Sequence, residues 1–192
     1  MNKLTLALFL GLAIVAVNAT HAQQAIIDFE DIPVGTTFGI GSTITSNSFD
    51  ITVSGSGGGT RIQNEASANF QSGNSLFNAG NRQLIFQLEE PVQHVSFLFQ
   101  NSGGTNFLTI NGETSDLVFD FADLNGTTLG GVGVSTTGVQ QFGELALNGP
   151  ISGLTVSGQE LGLDNIVVGV PEPSSAAVLG MLLGLVIARR RK

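Results

Sequence analysis

Four acidic side chains near the two ends of the chain's central region are the strongest candidates for chemistry. Asp28, Glu30 and Asp31 stand close together early in the chain, and Asp164 interrupts an apolar run at residues 163–168. A carboxylate in an apolar strand must be hydrogen-bonded, paired or bound to a cation, because a bare buried charge is costly. Carboxylate oxygens suit Ca²⁺. The pattern therefore predicts either a cation site or an exposed acidic strand end in which Asp164 binds a backbone amide.

A second acidic group consists of Asp116, Asp120 and Asp123. Its spacing does not match an EF-hand loop, whose ligands recur at every second residue before a closing Glu. Residues 117–121 between these acids read as a strand, and a period of two places Asp116, Val118 and Asp120 on one face. We expect that face to be a solvated face of a sheet.

Nucleophilic and acid–base catalysis find little support. His94 is the one histidine in residues 23–169, and no nucleophile-elbow sequence accompanies it, so we expect a surface histidine. The chain has no cysteine, which excludes thiol nucleophiles and disulfides. Paired carboxylates could serve glycoside hydrolysis, but nothing in the sequence singles out a pair. We therefore predict that the protein is not an enzyme.

Saccharide binding would need an aromatic surface, and the chain has neither Trp nor Tyr. Among the phenylalanines, Phe38, Phe70 and Phe77 lie in loop-like sequence, where packing is still the default expectation. The glycine-rich residues 54–59 are followed by no Lys and no helix signal. This segment therefore reads as a flexible loop and not as a phosphate site.

Residues 1–22 have the features of a secretory signal peptide. Lys3 supplies the positive start, residues 4–17 are apolar, and the small-residue pattern ending at Ala22 fits a cleavage site. An earlier cleavage at Ala19 and an uncleaved N-terminal anchor are the alternatives. Export is the expectation that follows.

The C-terminal 23 residues combine a short motif, an apolar run and a basic end. The motif is followed by residues 176–188, which would rise about 20 Å as a helix, against about 30 Å for a bilayer core. The positive-inside tendency places the basic end in the cytoplasm. We expect residues 170–192 to be a sorting signal whose apolar run, residues 176–188, forms a short membrane helix, with an ordinary tail anchor as the alternative. The motif is Val170, Pro171, Glu172 and Pro173, and the basic end is Arg189, Arg190, Arg191 and Lys192.

This tail resembles the PEP-CTERM sorting signal of Gram-negative bacteria. The resemblance implies export by the secretion machinery, transient anchoring in the inner membrane and processing by the transpeptidase exosortase. It further implies a final place at the cell surface or outside the cell, in bacteria that make extracellular polysaccharide. A role in a biofilm matrix is the corresponding functional expectation.

Between the two terminal segments, residues 23–169 should form one domain. Two arginines against fourteen acidic residues give this region a formal charge of −12, which repels nucleic acid. Short runs rich in Val, Ile, Leu and Phe alternate with Gly, Asn, Ser and Thr, and no amphipathic helix is indicated. We predict an all-β fold, an antiparallel β-sandwich of jelly-roll type. The predicted strands are residues 25–29, 49–53, 84–88, 92–99, 107–110, 117–121, 144–147, 154–156 and 163–168.

The ends of this domain resemble the first and last strands of galactose-binding-like jelly rolls. The similar segments are residues 27–36 and 163–168. The resemblance implies a structural Ca²⁺ held by Glu30 and Asp164, with Asp28 or Asp31 as a third ligand, and no other cofactor. The leading prediction is a non-enzymatic surface or matrix protein, and the alternative is a calcium-stabilised carbohydrate-binding module.

Overall fold

The computed structural model describes residues 24–64, 73–139 and 141–169. The predicted signal peptide, its cleavage site at Ala22 and the sorting motif with its basic end lie outside these residues. In the described ranges the regular structure consists of strands and one short 3₁₀ helix, Phe121–Leu124. The strands are β1 (Gln24–Ile27), β2 (Thr37–Phe38), β3 (Thr43–Ser46), β4 (Phe49–Ser56), β5 (Thr60–Asn64), β6 (Asn74–Asn78), β7 (Asn81–Phe86), β8 (Val92–Asn101), β9 (Asn106–Ile110), β10 (Glu113–Thr114), β11 (Thr128–Leu129), β12 (Val132–Val139), β13 (Phe142–Ile151), β14 (Leu154–Gly158) and β15 (Leu161–Gly169).

The strands form two antiparallel sheets. The large sheet has the order β11-β12-β13-β8-β15-β6-β5-β2, with β1 also paired to β15, and the small sheet has the order β10-β9-β14-β7-β4-β3. One hydrophobic core contains buried side chains from both sheets, such as Phe97 of β8 and Leu108 of β9. The predicted all-β, antiparallel, sandwich-like architecture is thereby confirmed. Within the described residues, no helix has the length and apolar character needed to cross a membrane.

Alternation along β8 determines which of its side chains enter the core. Val95, Phe97 and Phe99 are all buried, as a period of two predicts. Ser96 is buried as well, because β8 is a central strand with β13 on one side and β15 on the other. Both faces are also buried in parts of β14 and β15, at residues 156–158 and 161–164.

Asn111 and Gly112 form a two-residue hairpin turn, as an Asn-Gly pair directly after a strand predicts. Ile110 pairs with Glu113, so these two residues alone connect β9 to β10. Both have positive φ, 51° for Asn111 and 83° for Gly112, which is the backbone that a type I′ hairpin turn requires. The loop predicted for residues 54–59 is shorter than expected, because β4 continues to Ser56.

The two ends of the described chain lie side by side. Strand β1 runs antiparallel to β15, and Gln24 pairs with Gly169. The first and last described residues, Gln24 and Gly169, are therefore neighbours at one end of the large sheet.

Candidate functional site

Asp164 lies at a junction in the large sheet. On one side β15 pairs with β8, with a shift of register between Asp164 and Val167. On the other side, β15 pairs with β6 through residues 161–163 and with β1 through residues 166–169. Asp164 and Asn165 lie between these two partners, and Asn165 adopts a positive φ of 46°. This irregularity is typical of a β-bulge, which redirects a side chain out of the regular alternation.

The Asp164 carboxylate is buried, and a hydrogen bond partly offsets the cost of its burial. Its residue is only 5% exposed, and Oδ1 accepts a hydrogen bond of 2.7 Å from the backbone N–H of Asn165. Burial raises the pKa of Asp164 from 3.8 to about 6; the Asn165 bond opposes this rise, and the charges of Glu30 and Asp28 add to it. The structure thus brings Asp28 and Glu30 close to Asp164, and we call these three residues the junction cluster.

The other predicted ligands already have donors from the protein. Asp28 Oδ1 accepts from the side-chain amide of Asn47 at 3.0 Å, and Glu30 Oε1 accepts from the backbone N–H of Asn74 at 2.7 Å. Gly73 makes room for Glu30, because a Cβ there would lie 1.8 Å from Glu30 Oε1.

Asp31 belongs to a separate contact. Its carboxylate accepts from the Ser46 hydroxyl at 2.7 Å and from the Asn47 backbone at 3.0 Å. The bond from Ser46, followed by that from Asn47, holds the pKa of Asp31 below its ordinary value. In the ranges described, no three His, Cys, Asp or Glu side chains are arranged to hold a metal ion. Calcium binding by Glu30, Asp164 and Asp28 therefore stays a prediction.

The second acidic group is arranged differently from the prediction. Residues 117–121 do not form a strand: only Val118 makes a β-bridge, to Asn106, and a 3₁₀ helix begins at Phe121. The prediction that Asp120 lies on a solvated face is wrong, because Asp120 is only 8% exposed. Phe119, which was predicted to lie on the opposite face, is instead 76% exposed. Asp120 caps the helix by accepting from the Ala122 backbone at 2.9 Å.

An open cleft of about 270 Å³ lies beside Phe119. We call it the Phe119 cleft. It brings together the end of β8, the residues before the 3₁₀ helix and the turn before β13. Its lining consists of Asn101, Gly103, Gly104, Phe119, Asp120, Asp123 and Gln141. Sequence reasoning missed this site, although Asp120 followed three residues later by Asp123 is a helix-start pattern that could have indicated the local turn.

A second cleft, of about 310 Å³, contains both arginines of residues 23–169. Arg82 is committed to structure, since its guanidinium donates to the carbonyl oxygens of Phe38, Gly57 and Gly58 at 2.6–2.9 Å. Arg61 stacks over the ring of Phe77 at 4.7 Å. The Arg82 bonds to Gly57 and Gly58 fix the β4–β5 turn, and Arg61 covers the Phe77 ring.

His94 does not form a triad in the part of the chain that is described. Its Nδ1 lies 3.0 Å from Oδ1 of Asn148 on the neighbouring strand, which is hydrogen-bond distance. Asn148 is neither a nucleophile nor an acid. The arrangement offers no nucleophile–histidine–acid chemistry.

Comparison with known proteins supplies no relative. No protein-family model, no curated protein and no solved structure matches the chain.

Proposed function

We propose that the protein is an exported, non-enzymatic surface or extracellular-matrix protein whose C-terminal sorting signal is processed by exosortase. The observation that carries the proposal is the order of motif, apolar run and basic end in residues 170–192. Residues 1–22, read as a signal peptide, agree with it. The jelly-roll connectivity of the domain and its Gram-negative host belong to the same proposal.

The physical chemistry of the tail suits a segment that is held only briefly. Thirteen apolar residues are short for a bilayer core, so the anchor is weak and relies on its four cations reaching the headgroups. Pro171 and Pro173 restrict the backbone around Glu172 to extended conformations. An extended acidic segment just outside the membrane is a suitable substrate for a processing enzyme.

The arrangement of the domain supports this reading. Because Gln24 pairs with Gly169, the two points at which the proposed leader and tail would join the domain lie side by side. Processing at residues 171–173 would release or re-attach the domain without disturbing β15.

Replacing Glu172 with alanine is expected to block processing in the native host. The variant should accumulate in the inner-membrane fraction with its tail intact, because the recognised carboxylate is missing. Immunoblots of inner-membrane, surface and medium fractions measure this distribution. The matched control is Glu90→Ala, which removes the same charge from an exposed position in the domain. Wild-type distribution of the Glu172→Ala variant would contradict the proposal.

A calcium-stabilised carbohydrate-binding module is the second candidate function. The observation that favours it is the burial of Asp164 beside Glu30 and Asp28, since a cation would relieve the repulsion among the three carboxylates. Glu30, Asp164 and Asp28 would be the ligands, and extracellular polysaccharide the partner.

Calcium is then expected to raise the melting temperature of the EDTA-treated chain. At a concentration about 100-fold above Kd, the increase should be about 5 °C or more. Differential scanning calorimetry with CaCl₂, and with MgCl₂ as the ion control, measures it. Asp164→Asn should remove the response, whereas Asp116→Asn, an exposed acid outside the junction cluster, should keep it. An unchanged melting temperature for the wild-type chain would exclude this candidate.

A further inference from the structure

Phe119 is the most exposed large hydrophobic side chain in the described residues, at 76%. A single exposed apolar residue is ordinary on a protein surface. What distinguishes Phe119 is that buried polar groups hold its backbone in place. The ring is therefore displayed by the fold, at a position where it stabilises nothing by burial.

Two amide side chains bind the Phe119 carbonyl oxygen. Asn101 Nδ2 donates to it, and Asn106 Nδ2 donates to it at 3.1 Å. Both asparagines are buried, at 4% and 0% exposure. The preceding residue, Val118, exchanges two backbone hydrogen bonds with Asn106, of 2.7 and 2.9 Å. The chain on the N-terminal side of the ring is thus fixed to the start of β9.

The residue after Phe119 is held equally well. The two Asp120 oxygens accept from the backbone N–H groups of Ala122 and Gln141. With both flanking residues fixed, only the two side-chain torsions of Phe119 remain free. A ligand that stacks on the ring would lose little free energy in ordering it, which is the benefit of a pre-organised site.

Two exposed polar residues, Asp123 and Gln141, also line the cleft. Within the described part of the chain, neither of their side chains is engaged in a hydrogen bond, so both are free to bind a ligand. Asp123 offers acceptors only, whereas Gln141 offers a donor and an acceptor. An apolar face with acceptors and one amide at its rim matches a ring whose faces carry C–H groups and whose edge carries hydroxyls.

The charge of the cleft restricts the ligand further. Its lining includes Asp120 and Asp123 and no basic residue, and the domain as a whole is strongly acidic. Such a surface disfavours phosphates, sulfates and uronates. Its volume of about 270 Å³ is below the roughly 300–1,000 Å³ of pockets that enclose larger ligands, so it suits one ring of a longer chain.

We propose that the Phe119 cleft binds a neutral pyranose unit of a polysaccharide, with the sugar ring stacked on Phe119 and its hydroxyls bonded to Asp123 and Gln141. This proposal deepens the surface and matrix role, which it assumes, by giving the domain a ligand. The binding itself does not require the tail to be processed.

Binding is tested on the full chain, purified in mild detergent, by isothermal titration calorimetry. The probes are hexasaccharides of β-1,4-linked glucose, β-1,3-linked glucose and β-1,4-linked mannose, with hexagalacturonate as the anionic probe. At least one neutral probe should bind and hexagalacturonate should bind more weakly. Phe119→Ala should weaken the neutral probe about tenfold or more. Leu117→Ala is the matched control, because Leu117 is 68% exposed nearby but does not line the cleft, and it should keep the wild-type affinity.

Several results would overturn the proposal. These are the failure of all three neutral probes, preference for hexagalacturonate, or equal affinities of the Phe119→Ala and Leu117→Ala variants. Equal unfolding midpoints of the two variants will show that a loss of binding is not a loss of folding. A chain that is correctly processed in its host but binds no neutral probe would refute the cleft alone, and the sorting proposal would stand.

Discussion

Replacing Phe121 with alanine is expected to lower the free energy of unfolding by about 3–5 kcal/mol, the usual cost of removing a buried phenylalanine ring. Phe121 is fully buried at the start of the 3₁₀ helix. Its ring packs edge-on against Phe97 and Phe99, with centroid distances of 6.1 and 5.4 Å. The substitution leaves a cavity and also removes the contact that attaches the helix to β8.

Phe119→Ala is the matched control, since it removes the same side chain two residues away. Phe119 is mostly exposed, so its loss should change the free energy of unfolding by no more than about 0.5 kcal/mol. Urea denaturation of the two variants measures both values. Equal losses would contradict the structure, because residues 119 and 121 would share a buried face only if this segment were the alternating strand that the sequence predicts.

The second large effect is a fall in stability with rising pH that depends on Asp164. Its folded-state pKa is raised to about 6 from 3.8, so the folded protein binds the proton more tightly than the unfolded chain does. The resulting stabilisation is complete below about pH 3.8 and is lost as the pH rises through about 6. In EDTA, this loss should be about 1–2 kcal/mol by pH 8, which is less than the full shift would give because solvent partly screens the carboxylate.

Asp164→Asn should remove this pH dependence and should make the EDTA-treated chain more stable than wild type at pH 8, because no charge is then buried. Asp31→Asn serves as a contrast. The pKa of Asp31 is lowered by its bonds from Ser46 and Asn47, so its contribution is present above pH 3.8 and lost as the pH falls. Urea unfolding between about pH 2 and pH 8 measures both, because the Asp31 effect lies below pH 3.8 and the Asp164 effect lies above it. A wild-type chain whose stability rises from pH 4 to pH 8 as steeply as that of Asp164→Asn would disprove the account of Asp164.

Regular alternation and turn chemistry explain what the sequence predicted correctly. Val95, Phe97 and Phe99 all point into the core because alternate residues of a strand lie on the same face. Asn111 and Gly112 mark a hairpin because both residues accept positive φ. In these places the local conformational preference agrees with the tertiary packing, so the sequence alone is sufficient to predict the structure.

Residues 116–124 show why the remainder could not be predicted. Alternating apolar residues there suggested a strand, but Asp120 caps a 3₁₀ helix and Asn101 and Asn106 bind the Phe119 carbonyl. Those asparagines come from β8 and β9, and nothing local signals their approach. The exposed ring and the cleft beside it follow from these distant contacts.

Asp164 is an intermediate case. The sequence required its carboxylate to be hydrogen-bonded, paired or bound to a cation, and the structure provides the bond from the Asn165 backbone. The proximity of Glu30 and Asp28 depends on β1 pairing with the second half of β15. Strand order of this kind is set by the whole sandwich, and the local sequence does not encode it.

The central claim, that residues 170–192 are a sorting signal, is tested most directly by mass spectrometry of the mature C-terminus on protein recovered from its native host. The account predicts a terminus at or near residues 171–173, with residues 174–192 missing. An intact Lys192 on the mature surface protein would contradict it, since the tail would then be a simple membrane anchor.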